Sequence, residues 1–216
     1  MGIEDATNLQ VVQGFTNLMW PSGNQHFCET FHFYGKKLAE FYEILCRMVF
    51  ESYGVNKCYD FYAESNTLFL HRVNKYRVPR LDESTVGVSD HTDLDFITIL
   101  HQNHVDGLEV KTKDGNWISV QFPPSSFVIM AGEGLRAWSN GRIYSAVHRV
   151  ILKGKEERFS TAQMSFPKRI IEAPEELVTD KHSLQFKPFA NLELLRLYYT
   201  EESKRAEDGL KAWFGI

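Results

Sequence analysis

The stretch Arg142–Phe166 reads RIYSAVHRVILKGKEERFSTAQMSF and holds two of the runs that decide the fold. β-branched and aromatic residues concentrate in Ile143–Leu152 and again in Phe159–Ser165, which predicts two strands. Asn140-Gly141 stands directly before this stretch, and both residues tolerate the positive φ angles of a type I′ turn. The sequence therefore predicts a hairpin at Asn140-Gly141 whose returning strand is Ile143–Leu152.

Short β-rich runs continue upstream of this hairpin. Pairs of turn-forming residues stand between them at Asp106-Gly107, Asp114-Gly115 and Pro123-Pro124. Several short strands at close spacing with turns between them are typical of a sandwich or a barrel. The upstream runs that we predict as strands are Thr67–Val73, Phe96–Leu100, Gly107–Lys111 and Ser126–Met130.

Apolar residues recur at helical spacing on both sides of the predicted strands. The first such segment runs from Thr30 to Tyr53 and is followed by Gly54, which suits the end of a helix. Residues 1–29 look loop-like, and a terminal helix is predicted over Leu192–Leu210. The predicted fold is mainly β with flanking helices, divided into a helical segment (1–60), a β core (65–168) and a C-terminal helical tail (169–216).

Composition excludes several classes of function. The 216 residues carry 24 Lys and Arg against 28 Asp and Glu, so the chain lacks the basic balance of an electrostatic nucleic-acid binder. No apolar run approaches the ~20 residues that span a bilayer, and Met1–Ala6 does not resemble a signal peptide. Cys28, Cys46 and Cys58 form no CxxC pair, which favours reduced thiols and a cytoplasmic location.

Histidine followed two residues later by aspartate occurs twice. Because residues i and i+2 of a strand share a face, such a pair can project an imidazole and a carboxylate into the same space. The pair His104 and Asp106 lies directly before Gly107, so we expect it to close a turn. His91 and Asp93 instead precede the predicted strand Phe96–Leu100 and are the better candidates for a metal site.

A third ligand is available on the returning strand of the predicted hairpin. This strand places Tyr144, Ala146 and His148 on one face. Two histidines and one carboxylate form the facial triad of non-haem Fe(II) oxygenases, which leaves coordination positions open for an oxoacid and dioxygen. His91, Asp93 and His148 are therefore the predicted metal ligands, and the alternative is a hydrogen-bonded set of histidines at a sandwich edge.

Arg158 and Ser160 form a further i, i+2 pair ten residues after His148. The planar guanidinium of an arginine suits a carboxylate, and the serine adds a hydroxyl. A surface strand is the ordinary explanation of such a pair. Here it points into the same interior as the predicted triad, where the far carboxylate of a metal-chelating diacid would lie.

These motifs together resemble a known family, the iron- and 2-oxoglutarate-dependent dioxygenases of plant specialised metabolism. The resemblance covers nearly the whole chain, and its closest branch is the AOP-type enzymes acting on glucosinolate side chains. The chain also looks N-terminally shortened, because members of the family carry about a hundred further residues before Met1. The segments that carry the resemblance, besides the metal and arginine motifs, are Asn74–Tyr76, Val105–Gly115, Met130–Glu133, Trp138–Arg142, Ala173–Val178 and Phe186–Phe189.

The resemblance implies a double-stranded β-helix core (a cupin-like jelly roll) and a pocket for 2-oxoglutarate. By matching position, Arg158 and Ser160 would bind the distal carboxylate of 2-oxoglutarate, and Asn74 and Tyr76 would line the same pocket. Lys75 replaces a tyrosine of the family, and we expect its side chain to point away. Met164 is a candidate substrate contact, with core packing as the alternative.

The implied activity is oxidation of a small plant metabolite by hydroxylation, desaturation or demethylation, with release of succinate and CO₂. The implied cofactors are Fe(II), 2-oxoglutarate and O₂, with ascorbate as a candidate reductant. We expect a monomer that binds a small-molecule substrate and neither nucleic acid nor a membrane. Two alternatives stay open: a truncated remnant without activity, and a cupin-type metal protein that does not bind 2-oxoglutarate.

Overall fold

The computed structural model describes residues 1–55, 67–198 and 208–216. Its helices are α1 (Leu9–Met19), α2 (Gln25–Ser52), α3 (Glu133–Trp138), α4 (Asn191–Tyr198) and α5 (Gly209–Phe214). Its strands are β1 (Gly2–Glu4), β2 (Thr67–Tyr76), β3 (Val86–His91), β4 (Ile97–Gln102), β5 (Leu108–Lys111), β6 (Trp117–Ser119), β7 (Val128–Ala131), β8 (His148–Ile151), β9 (Arg158–Pro167), β10 (Ile170–Ile171) and β11 (Phe189–Ala190).

Two antiparallel sheets form the centre of the molecule. One has five strands in the order β1-β2-β9-β4-β7, the other has four in the order β3-β8-β5-β6, and β10 and β11 form a separate pair. From β3 onward the chain alternates between the two large sheets, except for the β5–β6 hairpin. Each of the predicted runs contains a strand, and the strands that were not predicted are β1, β3, β6, β10 and β11.

Helix α2 packs its apolar stripe against the five-stranded sheet and α3. Its N-cap Asn24 accepts a hydrogen bond from the backbone N–H of Phe27 (3.0 Å), so the helix begins five residues before the predicted Thr30. Gly54 follows the helix with a φ of 71°. The side chain of Phe50 stacks on Trp138 with ring centroids 4.4 Å apart. The buried stripe has a spacing of four residues and consists of Leu38, Tyr42, Cys46 and Phe50.

The prediction that residues 1–29 are loop-like is wrong. They contain β1, which pairs with β2, and α1, whose N-cap Asn8 accepts a hydrogen bond from the backbone N–H of Gln10. Ile3, Ala6 and Val12 form a second apolar cluster with residues of α2. The sequence signal was weak because β1 has three residues and α1 buries only Val12 and Thr16.

The predicted hairpin at Asn140-Gly141 is also wrong. Both residues do have positive φ angles, 52° and 77°, but they follow α3 and form the left-handed turn that ends this helix. The strand after the turn is therefore shorter than the predicted Ile143–Leu152 and begins only at His148. Residues with positive φ angles occur at helix ends as well as in hairpin turns, so this pair of residues does not distinguish the two. The preceding helix α3 was not predicted because its six residues are too few to show helical periodicity.

The single terminal helix predicted over Leu192–Leu210 is wrong at its C-terminal end. Asp208 has an extended backbone, and its side chain accepts a hydrogen bond from the backbone N–H of Lys211, so it caps a separate helix, α5. Residues 199–207 of the prediction lie outside the described residues.

The described cysteines agree with the expectation of free thiols. Cys28 and Cys46 are unpaired and buried, and burial raises the pKa of the Cys46 thiol to about 12. Cys58 lies outside the described residues. Among the described residues, no helix is long and apolar enough to cross a membrane.

Candidate functional site

His91, Asp93 and His148 meet at one end of the two sheets. His91 ends β3 and His148 begins β8, and the two residues are direct cross-strand partners. Asp93 lies in the loop from β3 to β4, directly before the strand that it was predicted to precede, and its Oδ1 atom is 3.7 Å from Nε2 of His91 and 3.8 Å from Nε2 of His148. One ligand atom from each residue lies within 4.8 Å of the others.

The histidine rings are held in the tautomer that a metal requires. Nδ1 of His91 lies 2.8 Å from the carbonyl oxygen of Ser89, and Nδ1 of His148 lies 3.2 Å from that of Ala146. Because a carbonyl oxygen only accepts, each Nδ1 carries the proton and donates it. The lone pair of each Nε2 is then free for a metal. Burial lowers the pKa of His148, which also favours the neutral, metal-binding form.

The carboxylate of Asp93 is oriented by Thr98. The Thr98 hydroxyl donates a hydrogen bond to Oδ2 of Asp93 (2.6 Å), so Oδ1 stays directed at the two histidines. Asp95 lies behind this pair, and burial followed by the nearby charge of Asp93 raises the pKa of its carboxyl well above the usual range. Two neutral imidazoles and one oriented carboxylate fit a divalent metal such as Fe(II).

We expect Thr98→Val to lower the affinity for Fe(II) about 10- to 100-fold, the usual cost of losing a group that orients a metal ligand. The substitution keeps the β-branched shape but leaves Oδ2 of Asp93 without its donor. Anaerobic equilibrium dialysis with Fe(II) measures the affinity. Thr98→Ser, which keeps the hydroxyl, is the matched control, and equal affinities of the valine and serine variants would contradict the orienting role.

Gly132 lets the start of α3 approach the loop that carries Asp93. Its N–H donates to the carbonyl oxygen of Phe96 (3.1 Å), and a Cβ at this position would lie 2.1 Å from the carbonyl oxygen of Asp95. We expect Gly132→Ala to lower the free energy of unfolding by about 1–3 kcal/mol, measured by denaturant unfolding. The control is Gly14→Ala in α1, where a Cβ meets nothing within 4 Å; equal stabilities would contradict the close approach.

Arg158 is a buried cation at the start of β9. Its side chain donates to Oε1 of Gln102 from Nε (3.2 Å) and from Nη2 (2.7 Å), and Nη1 donates to the Ser160 hydroxyl at 3.4 Å. Only 1% of the residue is exposed, and burial lowers the pKa of its guanidinium. Within the described ranges it forms no ion pair with a carboxylate. The charge of Asp106 raises the pKa of the guanidinium, but among the described residues no carboxylate contacts it directly, so the arginine can bind an anionic ligand.

Asn74 and Tyr76 of β2 stand beside this arginine. In the sheet, Tyr76 is the register partner of Arg158 and Asn74 that of Ser160. The Asn74 amide donates to the Ser160 hydroxyl (3.5 Å), and the guanidinium of Arg158 lies 5.0 Å from the centre of the Tyr76 ring. Lys75 points away as expected and pairs with a glutamate on the protein surface.

All of the predicted site residues line one cavity of about 210 Å³ between the two sheets. His91 and His148 of the triad belong to the four-stranded sheet. Arg158 and the residues beside it belong to the five-stranded sheet. Met164 lies on the same face of β9 as Arg158 and also lines the cavity. The predicted residues that meet here are Asn74, Tyr76, His91, Asp93, His148, Arg158, Ser160 and Met164.

Several residues of the site were not predicted as such. Gln102 holds Arg158, Thr98 orients Asp93, and Arg72 and Leu195 line the cavity. Strand alternation could have found Gln102, since Thr98 and Gln102 share a face of β4. Leu195 comes from α4, and no local pattern places that helix over the cavity.

His104 and Asp106, the second histidine–aspartate pair, lie in a loop, as predicted. His104 pairs with Glu156 at the surface (3.0 Å), and Asp106 accepts a hydrogen bond from Gln102 (3.1 Å). In the described part of the chain, the triad is the one group of three such ligands close enough to hold a metal.

Comparison with known proteins gives consistent matches. Residues 68–167 match the 2OG-Fe(II) oxygenase superfamily. The chain is 42% identical over 221 residues to a probable 2-oxoglutarate-dependent dioxygenase, AOP1.2, of Arabidopsis thaliana, which covers 99% of this chain and 68% of that protein.

Solved structures show the same fold. The rice dioxygenase for auxin oxidation matches with a TM-score of 0.86 at 28% identity, covering 100% of this chain and 72% of that one. The Arabidopsis thaliana dioxygenase for auxin oxidation 1, in a complex with 2-oxoglutarate, matches with a TM-score of 0.76 at 29% identity, covering 85% of this chain and 68% of that one. The jelly-roll prediction is thereby confirmed.

Proposed function

Because the chain belongs to the 2OG-Fe(II) oxygenase superfamily, we propose that it oxidises a small plant metabolite with Fe(II) as its metal and 2-oxoglutarate as its cosubstrate. The observation that carries the proposal is the shared cavity: it has three metal-type ligands at one side and, at the other, a buried guanidinium that no carboxylate of the described residues contacts. A metal-chelating diacid needs both.

His91, Asp93 and His148 would hold the metal through the two Nε2 atoms and Oδ1. The three side chains would contribute one negative charge and leave coordination positions open for further ligands. Bound iron supplies the activation of O₂ with 2-oxoglutarate, which yields succinate and CO₂ and oxidises a substrate C–H bond. The protein contributes orientation and a site that excludes water.

Arg158 and Ser160 would bind the distal carboxylate of 2-oxoglutarate, with Asn74 and Tyr76 beside them. The guanidinium is already fixed by Gln102, so little side-chain entropy is lost when the anion binds. Met164, on the same face of β9, would contact the substrate. Hydroxylation, desaturation and demethylation differ only in the substrate and its position in the cavity.

We further propose that residues 65–168 form the catalytic core and that 1–60 and 169–216 are flanking helical regions. A monomeric state, a cytoplasmic location and ascorbate as reductant also stay predictions. Size-exclusion chromatography with light scattering tests the first of them.

The test of the proposed function is an anaerobic titration of the chain with Fe(II) and then with 2-oxoglutarate. A weak visible charge-transfer band is expected when both are present and not with either alone. A folded sample without the band rejects cosubstrate binding. Succinate formation in air then separates an active enzyme from the remnant without activity, which would bind both and turn over neither.

A further inference from the structure

Glu133 is a buried carboxylate next to the metal triad. It begins α3, and its backbone N–H donates a hydrogen bond to the carbonyl oxygen of Asp93 (2.8 Å). Only 5% of the residue is exposed, and it does not line the cavity. Burying a carboxylate is costly unless other groups compensate its charge, so the groups around Glu133 indicate what it does there.

Three side chains compensate this carboxylate. Arg136 donates a hydrogen bond to its Oε2 atom (2.8 Å). Burial raises the pKa of the Glu133 carboxyl, whereas the charge and the hydrogen bond of Arg136 lower it. The hydroxyls of Ser145 and Thr92 also lower this pKa, which a hydroxyl does when it donates to the ionised form. The buried Ser145 hydroxyl has no acceptor elsewhere in the described residues, so the carboxylate is the acceptor within its reach.

The two hydroxyls belong to the two segments that carry the metal ligands. Thr92 stands between the histidine and the aspartate of the first segment and lines the cavity. Ser145 precedes Ala146 in the second segment, and the carbonyl oxygen of Ala146 accepts the hydrogen bond from Nδ1 of His148. The Glu133 side chain therefore interacts with both segments, close in sequence to the ligands.

The backbone of α3 holds only the first of these segments. The N–H groups of residues 132–134 donate to carbonyl oxygens in the loop from β3 to β4, at distances of 2.8 to 3.1 Å. Between residues 132–134 and residues 143–147, the described part of the chain has no backbone hydrogen bond. The carboxylate of Glu133 is therefore the polar connection between the start of α3 and the segment before His148.

We propose that Glu133 is a positioning residue of the iron site, whose carboxylate fixes the two ligand-carrying segments relative to each other. A carboxylate suits this role because its two oxygens can accept several hydrogen bonds at once. Arg136, which pairs with Asp208 on its other side, holds the carboxylate in place. The inference rests on the proposed function, because it concerns the geometry of the same three ligands.

Glu133→Ala is expected to lower the Fe(II) affinity of the full chain about tenfold, measured by anaerobic equilibrium dialysis. This is the lower end of the range for losing an outer group that orients metal ligands, since Glu133 acts through the residues beside the ligands. Glu133→Gln keeps an oxygen acceptor at the same position and should bind Fe(II) more tightly than Glu133→Ala.

Asp208→Ala is the matched control, because Asp208 is the other carboxylate that pairs with Arg136 (2.6 Å). It also removes one charge and one ion pair, but it should bind Fe(II) as the wild type does. The visible absorption of bound Co(II), which depends on the ligand geometry, should change in Glu133→Ala and not in Asp208→Ala. A purely structural role of Glu133 would lower the melting temperature and leave the Co(II) spectrum unchanged.

Ser145→Ala keeps the ion pair of Glu133 with Arg136 and gives a second measurement if Glu133→Ala does not fold. We expect it to lower the Fe(II) affinity about threefold, the net value of one hydrogen bond. In the Glu133→Ala background its effect should be smaller, because the two substitutions remove the same contact.

Wild-type Fe(II) affinity in folded Glu133→Ala, or in Ser145→Ala, overturns the inference and leaves the proposed function intact. Equal losses in Glu133→Ala and Asp208→Ala also overturn it, since they would show that the ion pairs of Arg136 and not the ligand segments are responsible. Absence of Fe(II) binding by the wild type instead rejects the proposed function, and the inference with it.

Discussion

Asp93→Ala is expected to lose Fe(II) affinity by more than about 100-fold, because even the loss of an outer group that orients a ligand costs 10- to 100-fold. The substitution removes the one charged ligand of the triad and leaves two neutral imidazoles. Anaerobic equilibrium dialysis with Fe(II) measures the effect. The charge-transfer band with 2-oxoglutarate should disappear with the metal.

The control for this substitution is Asp90→Ala. Asp90 precedes His91 on β3 and is exposed, so its removal changes the charge of the region by the same amount without changing the triad. If Asp93→Ala and Asp90→Ala bind iron equally well, the metal lies elsewhere. Thermal unfolding of both variants confirms that each is folded.

Arg158→Met is expected to weaken 2-oxoglutarate binding by about 2–5 kcal/mol, the range for losing one partner of a buried charge pair, and to leave Fe(II) affinity unchanged. The variant should also melt at a higher temperature than the wild type without ligands. Burial opposes the charge of Arg158, as the lowered pKa of its guanidinium shows, and methionine fills a similar volume without a charge. Titration of the charge-transfer band and thermal unfolding measure the two effects.

Arg77→Met serves as the control, since it removes an exposed arginine whose partner is Glu83. Unchanged 2-oxoglutarate affinity in Arg158→Met would mean that another group binds the distal carboxylate. A lower melting temperature without ligands would mean that the hydrogen bonds to Gln102 outweigh the cost of burying the charge.

Most components of the candidate site lie on strands, which made several of them predictable from the sequence. Alternation on a strand fixes which side chains share a face, so Arg158, Ser160 and Met164 could be assigned to one interior. His91 and Asp93 were found from their spacing and from their position before a predicted strand, although Asp93 itself lies in a loop after β3. Its carboxylate accepts a hydrogen bond from Thr98, a contact that no local sequence pattern predicts.

The wrong predictions have a common physical cause. Each was made from a few neighbouring residues, whereas the structure that these residues adopt depends on what packs against them. Asn140 and Gly141 can adopt positive φ angles in a hairpin turn and at the end of a helix alike. Only the presence of α3 before them shows that they end a helix. The segment 1–29 carries too few buried residues to show a period, yet pairing of β1 with β2 orders it. Gln102 and Arg72 belong to the site through neighbours that are distant in the sequence.

The cavity lies between two sheets that contribute different halves of its chemistry: His91 and His148 from the four-stranded sheet, Arg158 and Ser160 from the five-stranded one. A diacid that is bound at both ends therefore acts as a cross-link between the layers. By thermodynamic linkage, a ligand at about 100 times its dissociation constant adds roughly 2.7 kcal/mol to the stability of the folded state. Bound iron and 2-oxoglutarate would thus connect the two sheets, and the folded state would be more stable with them than without them.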